Sequence, residues 1–243
     1  MARHGTCPTG WRVTLGPTRF SDVRRFAEVA STNRLAVELV RGGAGDGLVV
    51  VADHQTAGRG RRGRSWESRP GSSLLVSVVL RPVPALVTLA AGLAAAEVCE
   101  AAARVPVRLK WPNDVIAADG KLGGILCELV GDAAVVGLGL NLGWAPPGAA
   151  CLGAPGAAGL GAEVGRDALL DAWLAALEGH TSAADVLSRY RRRCATLGRR
   201  VRVELPGETF EGLAEGVDDQ GRLLVDGRAV AAGQVVHLRE PRA

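Results

Sequence analysis

The sequence predicts an α+β chain ending in a small β unit of the SH3-like barrel sort. Two observations lead there. Between Val23 and Leu197, short apolar runs with strand character are interleaved with stretches of helical composition. From Arg200 to Arg239 the texture changes to brief apolar alternations, broken at Pro206-Gly207, at Asp218-Asp219-Gln220-Gly221 and at Asp226-Gly227, which are hairpin turn signals. About forty residues of that kind suit a five-strand barrel. The expected division is residues 1–197 as a catalytic unit and 198–243 as the β unit, with the boundary near Gly198.

The elements follow in order. Residues 1–20 lack periodicity and predict a partly ordered arm. Val23 to Val29 alternates as a strand does. Ser31 offers its hydroxyl as an N-cap to a helix of about ten residues that stops at Gly42-Gly43. Gly47 to Ala52 is a buried strand. His54 to Pro70 is polar, rich in Gly and Arg, and too long for a turn, which marks a functional or mobile loop. Ser73 to Leu80 is a strand, and Ala85 to Arg104 is a helix closed by Pro106. Val107–Trp111, Val115–Ala118, Gly123–Val130 and Ala133–Leu142 predict four strands, with turns at Asp119-Gly120 and Gly131-Asp132. Ala145 to Gly165 predicts a surface loop. Arg166–Glu178 and Ala183–Leu197 predict helices.

Composition narrows the function classes. Of 243 residues 47% are hydrophobic, which is a globular composition. No apolar stretch reaches the length of a bilayer span, and no secretory leader is evident, so a soluble cytoplasmic protein is expected. Five cysteines at wide spacings, without Cys-x-x-Cys, argue against a disulfide framework and a zinc site. The net charge of +4 is concentrated at Arg59, Arg61, Arg62 and Arg64 and at Arg191–Arg193, which suits a phosphate ligand or an acidic partner better than a nucleic-acid stripe. Of 29 basic residues only Lys110 and Lys121 are lysine. An ammonium is a compact point charge where a guanidinium is a planar fork, so these two mark positions at which Arg does not serve.

Four segments carry chemistry. In Gly58-Arg59-Gly60-Arg61-Arg62-Gly63-Arg64, alternating glycines let the backbone approach a ligand, and the arginines add forked donors for oxyanions. By itself this loop reads equally as a solvated basic loop or an RNA-binding segment. Lys110-Trp111-Pro112-Asn113-Asp114 and Lys121-Leu122-Gly123-Gly124 place a rigid apolar wall beside Asn, Asp and Lys; Asp114 and Lys121 can meet across adjacent strands. Ser31-Thr32-Asn33 is first of all a helix cap, and a capped N-terminus also binds polar ligand edges. In Gly137-Leu138-Gly139-Leu140-Asn141 the glycines imply close approach of another group, and Asn141 is a polar intruder that needs a partner. No P-loop is present, and the arginines of the Gly-rich loop do not suit a Rossmann turn.

Taken in order, Ser31-Thr32-Asn33, Gln55 to Trp66, Lys110 to Asp114, Lys121 to Leu126 and Gly137 to Asn141 resemble the biotin–protein ligases over roughly residues 24–144. The C-terminal β unit resembles that family's SH3-like domain. The resemblance implies a mixed sheet packed with helices, as in class II aminoacyl-tRNA synthetases and lipoate ligases. It implies activation of biotin with MgATP to biotinyl-5′-AMP, then transfer to a lysine of a biotin carboxyl carrier domain. It assigns Ser31, Thr32, Asn33 and Gln55 to the biotin rings, with Arg59, Gly60, Arg61 and Gly124 beside them. Arg59, Arg61, Arg62, Trp66, Lys110, Trp111, Asn113, Gly123 and Asn141 fall to the nucleotide. Lys121 bridges the biotin carboxylate and the α-phosphate, Arg61 belongs to a closing loop, and Asp114 orients or deprotonates the incoming lysine. No protein-held metal is expected beyond the Mg2+ of the nucleotide.

About twenty residues precede the first strand of the resemblance, too few for a DNA-binding helix-turn-helix domain, so a ligase without repressor activity is expected, as a monomer or weak homodimer. The nearest alternative is a lipoate or octanoate ligase of the same fold. A rival of another class is an RNA-binding protein, against which stands the β unit's single aromatic residue, Phe210.

Overall fold

The computed structural model describes residues 18–118, 120–153, 165–180 and 182–238. The arm over 1–17 with Cys7, Asp119 of the expected turn, and 154–164 of the expected loop lie outside the described residues.

Seven strands form one mixed sheet in the order β1-β2-β3-β7-β6-β5-β4. They are β1 (Asp22–Val29), β2 (Leu48–Gln55), β3 (Ser73–Leu80), β4 (Val107–Lys110), β5 (Asp114–Ala117), β6 (Gly120–Val130) and β7 (Ala133–Asn141). Among the described residues β1 and β2 form the sheet's parallel ladder, and its other ladders are antiparallel. Both faces are covered. Along β2, Leu48 and Val50 join one apolar cluster with Ala36 and Val40 of α1 (Thr32–Arg41), while Val49 and Val51 join a second with α2 (Val87–Ala103). Two buried faces explain why this strand reads as a continuous apolar run.

Helix α1 starts where Ser31 accepts from the Arg34 N–H and stops at Gly42. Such a cap contributes about 1 kcal/mol. Helix α2 is apolar almost all round because it lies under the sheet with α3 (Arg166–Gly179) and α4 (Ala183–Arg193) packed against it. Helix α4 ends at Arg193, four residues before its expected end. Beyond it, Cys194 pairs with Leu109, the Ala195 N–H bonds the Leu109 carbonyl at 2.7 Å, and Thr196 Oγ1 accepts from the Trp111 N–H at 3.0 Å. Pairing alongside β4 overrides the helical propensity of that stretch.

The C-terminal unit is a five-stranded antiparallel sheet, order β11-β10-β9-β8-β12, made of β8 (Arg200–Leu205), β9 (Glu208–Val217), β10 (Leu223–Val225), β11 (Arg228–Val230) and β12 (Gln234–His237). Among the described residues no ladder joins β11 to β12, so the strand pairing leaves the sheet open where a closed barrel was expected. Its inner residues Val201, Val203, Leu223 and Val235 share one apolar cluster with Leu109 and Trp111 of the larger unit. The Trp111 indole N–H also bonds the Gly221 carbonyl at 2.9 Å.

The loop after Asn141 is more ordered than its Ala-Gly-Pro composition suggested. Ala149 bridges Lys121, and Cys151 and Leu152 are buried. Among the described residues Cys99, Cys127 and Cys194 are free thiols. Among the described residues no helix is long and apolar enough to cross a membrane.

Candidate active site

A single cleft gathers the residues that the sequence singles out. Its walls are the start of α1, the end of β2, the Gly60–Trp66 segment, the β4–β5 connection, β6, β7 and β12, and it encloses about 1050 Å³ including its open mouth. Ser31, Thr32, Asn33, Gln55, Arg59, Gly60, Arg61, Arg62, Trp66, Lys110, Trp111, Asn113, Asp114, Lys121 and Gly124 all line it. Gly123 and Asn141 do not. Asn141 sits behind the cleft, donating to the carbonyls of Lys121 (3.2 Å) and Ala150 (3.0 Å), so it fixes the strand that carries Lys121. Gly123 lies back to back with β7: a Cβ there would stand 2.8 Å from the Gly139 carbonyl oxygen.

A buried polar cluster forms the floor. Gln55 Oε1 accepts from the Thr32 N–H at 2.7 Å and lies 2.9 Å from the Thr32 hydroxyl. Ser77 Oγ donates to Asn33 Oδ1 at 2.6 Å. Both Asn33 Nδ2 hydrogens are engaged, by the Leu126 carbonyl at 3.1 Å and Glu128 Oε2 at 2.9 Å. Asn33 therefore shapes the floor, and the donors it offers are already used. Sequence reasoning missed Ser77 and Glu128. Each is a polar residue within an apolar strand run, the same signal that picked out Asn141.

The two glycines of β7 admit neighbouring side chains, as their place in a strand implied. A Cβ at Gly137 would collide with Asn33 Oδ1, and one at Gly139 would lie 2.6 Å from Trp66 Cε2.

A second cluster is ionic. Lys121 Nζ lies 2.7 Å from Asp114 Oδ1, and 5.7 Å from the Trp66 ring centroid. Arg61 Nη1 donates to Asn113 Oδ1 at 3.2 Å, and Asn113 Nδ2 donates to the Ile125 carbonyl at 2.8 Å. Six cationic side chains, Arg59, Arg61, Arg62, Arg64, Lys110 and Lys121, line the cleft against one carboxylate, Asp114. Burial holds the Lys110 amine below its ordinary value, Asp114 opposes the shift, and Lys121 and Arg64 add to it. Burial likewise lowers Arg61, again opposed by Asp114. Cations crowded in this way are set to receive an anion.

The Gly-Arg loop is a folded hairpin. The Trp66 N–H bonds the Gly58 carbonyl at 3.0 Å, Arg59 bridges Ser65, and a short 3-10 turn over Arg61–Gly63 forms the tip. Its arginines are anchored apart: Arg59 to Glu128 Oε1 at 3.3 Å, Arg61 to Asn113, and Arg62 to the Glu204 carbonyl of β8 at 2.6 Å. Gly233 to Val236 complete the wall from the C-terminal unit. Sequence spacing gives no signal for them, because only the fold brings β12 there.

Residues 26–143 match the Biotin/lipoate A/B protein ligase family, and residues 196–238 match the Biotin protein ligase C terminal domain. The chain is 40% identical over 248 residues to a biotin–[acetyl-CoA-carboxylase] ligase of Mycobacterium tuberculosis, with 88% of each protein covered. It is 35% identical to the enzyme of that name from Paracoccus denitrificans, covering 88% of this chain and 98% of the relative. The structure of a biotin protein ligase from Aquifex aeolicus in complex with biotin and ATP superposes with a TM-score of 0.75 at 26% identity, over 91% of this chain and all of that one. With that cleft, and with relatives matched along nearly their whole length, the chain belongs to the biotin protein ligases of the biotin/lipoate protein ligase family.

Proposed function

We propose that this chain activates biotin with MgATP to biotinyl-5′-AMP and transfers the biotinyl group to a lysine of a biotin carboxyl carrier domain. The observation that carries this reading is one cleft with a polar floor at Thr32, Asn33 and Gln55 and a cationic cluster around Lys121. The names of the Mycobacterium and Paracoccus relatives support the substrate and the acceptor, and the Aquifex complex supports biotin and ATP as ligands.

In the first step a biotin carboxylate oxygen attacks the α-phosphorus of ATP and pyrophosphate leaves. Two anions must meet, and Lys121 and Arg61 offset their repulsion. In the second step the acceptor amine attacks the acyl carbon and AMP leaves. A lysine titrates near ~10.4, so it needs a base, and Asp114 at the cleft wall takes that role. Among the described residues no three His, Cys, Asp or Glu side chains come together to hold a metal; magnesium enters with the nucleotide. Gly198 is read as the divide between a catalytic unit, 1–197, and an SH3-like C-terminal unit, 198–243, that supplies one wall. A cytoplasmic location accords with this chemistry.

Release of pyrophosphate from MgATP, measured with biotin, lipoate and octanoate in parallel and without acceptor, tests the reading. Release with biotin alone is expected. Release with lipoate or octanoate alone moves the chain to the lipoate side of its family. Retention of RNA without turnover would favour the binding reading, although Phe210 is already covered by the Arg228 guanidinium, 4.3 Å from its ring centroid.

A further inference from the structure

We infer that Glu128 is a positioning residue that couples the floor of the cleft to the Gly-Arg loop, so that occupancy of one end holds the other closed; the inference rests on the ligase reading above. Glu128 lies on β6, and its two oxygens face different partners. Oε2 accepts from Asn33 Nδ2 at 2.9 Å, and Oε1 accepts from Arg59 Nη1 at 3.3 Å. Among the described residues Arg59 has no other carboxylate partner.

The direction of the floor's hydrogen bonds follows from its acceptors. Asn33 Oδ1 can only accept, so the single Ser77 hydroxyl proton goes to it. Gln55 Oε1 likewise only accepts, and the Thr32 hydroxyl donates its proton to it at 2.9 Å. The chain runs Ser77 to Asn33 to Glu128, and ends on a carboxylate that also grips the loop. A shift at Asn33 is therefore felt at Arg59 through Glu128, whose two oxygens are both engaged. Glu128 is the junction because a carboxylate alone can accept on both sides.

That last point supplies the test. In Glu128→Gln the amide oxygen still accepts from Asn33, but the amide nitrogen presents a donor to the Arg59 guanidinium, itself only a donor. The floor is kept and the loop contact is lost. Expected are a biotin affinity within about twofold of wild type, and a release of labelled biotinyl-5′-AMP about fivefold faster, the scale of one partly exposed ion pair. Arg59→Ala should accelerate release to the same extent, and the double variant should be no faster than Arg59→Ala alone. Glu128→Ala should weaken biotin binding as well. Unchanged adenylate release in Glu128→Gln would overturn the inference, as would additive effects in the double variant, while biotin-dependent pyrophosphate release in wild type stands. Absence of that release in wild type would overturn the ligase reading itself. Should Glu128→Ala fail to fold, Glu128→Gln and Arg59→Ala still decide the matter.

Discussion

Lys121 meets Asp114 beside Gly124, whose missing side chain leaves the end of the lysine uncrowded. The β5–β6 ladder sets Asp114 opposite Gly124, and a register shift between Val115 and Ile116 brings Lys121 opposite Ile116. A Cβ at position 124 would lie 3.2 Å from both Lys121 Cε and Nζ, so the glycine clears the path along which the amine meets the carboxylate at 2.7 Å. The Gly-Gly pair that weakens this strand thus places the one ion pair that joins the two charged groups assigned to successive steps.

The two members of that pair should therefore separate the half-reactions. Lys121→Ala is expected to lower adenylate formation by about 100-fold or more, the scale of a lost oxyanion donor, with the fold intact. Asp114→Asn should leave biotin-dependent pyrophosphate release within severalfold and slow transfer to the acceptor lysine by about 100-fold. Single-turnover assays of each step check this; equal losses in both steps for both variants would refute the division.

Arg61 bonds Asn113 from the tip of the loop hairpin. Arg61→Ala should unfasten that tip and let the adenylate escape, so that lysines of bystander proteins are biotinylated in a mixture with the acceptor. Labelling confined to the acceptor, with adenylate retention unchanged, would remove Arg61 from the closure of the loop.

Gly137→Ala and Gly139→Ala should each drive a methyl into a committed side chain, Asn33 in the first case and the Trp66 ring in the second. Overpacking of this sort costs about 1–3 kcal/mol. Biotin titration and denaturant unfolding should show both variants weaker in ligand binding and in stability than a Gly143→Ala control, where a Cβ meets nothing within 4 Å.

Much of this was legible in the sequence, and the exceptions share a cause. Ser31 and Gly42 bound α1 as capping chemistry requires, and Ser73–Leu80 is a strand to the residue. Apart from Ser77 and Glu128, the cleft residues of both clusters came from local motifs. What escaped was set by partners distant in sequence. The end of α4 is decided by Leu109, the order of the 149–152 segment by Lys121 and Asn141, and the C-terminal unit's wall of the cleft by β12. The open edge of the C-terminal sheet belongs here too, because turn signals count strands and do not say which of them pair.

Stability should also carry an acid signature from His237. Its half-buried ring lies near Lys110, Arg199 and Arg108, and desolvation together with those cations brings its pKa from 6.5 down to about 4. Thr196 Oγ1, which accepts from the Trp111 N–H, lies 3.1 Å from His237 Nε2 and donates its own proton there. The folded pKa is below the unfolded one, so the unfolded chain binds more protons between them. The contribution is complete above pH 6.5 and is lost as pH falls towards 4. After screening of a half-exposed ring it amounts to about 1–2 kcal/mol. Unfolding free energies at pH 7 and pH 4.5 should differ less in His237→Gln than in wild type by about that amount; an equal difference would exclude His237 as the source.

Arg62 grips the Glu204 main-chain carbonyl and not its side chain. Evolution is therefore free to exchange the amino acid at 204 without loosening the loop, provided β8 keeps its path. A mutational scan would find position 204 permissive and the strand's trajectory unforgiving, so the constraint is written in backbone shape, where a comparison of residue identities does not see it.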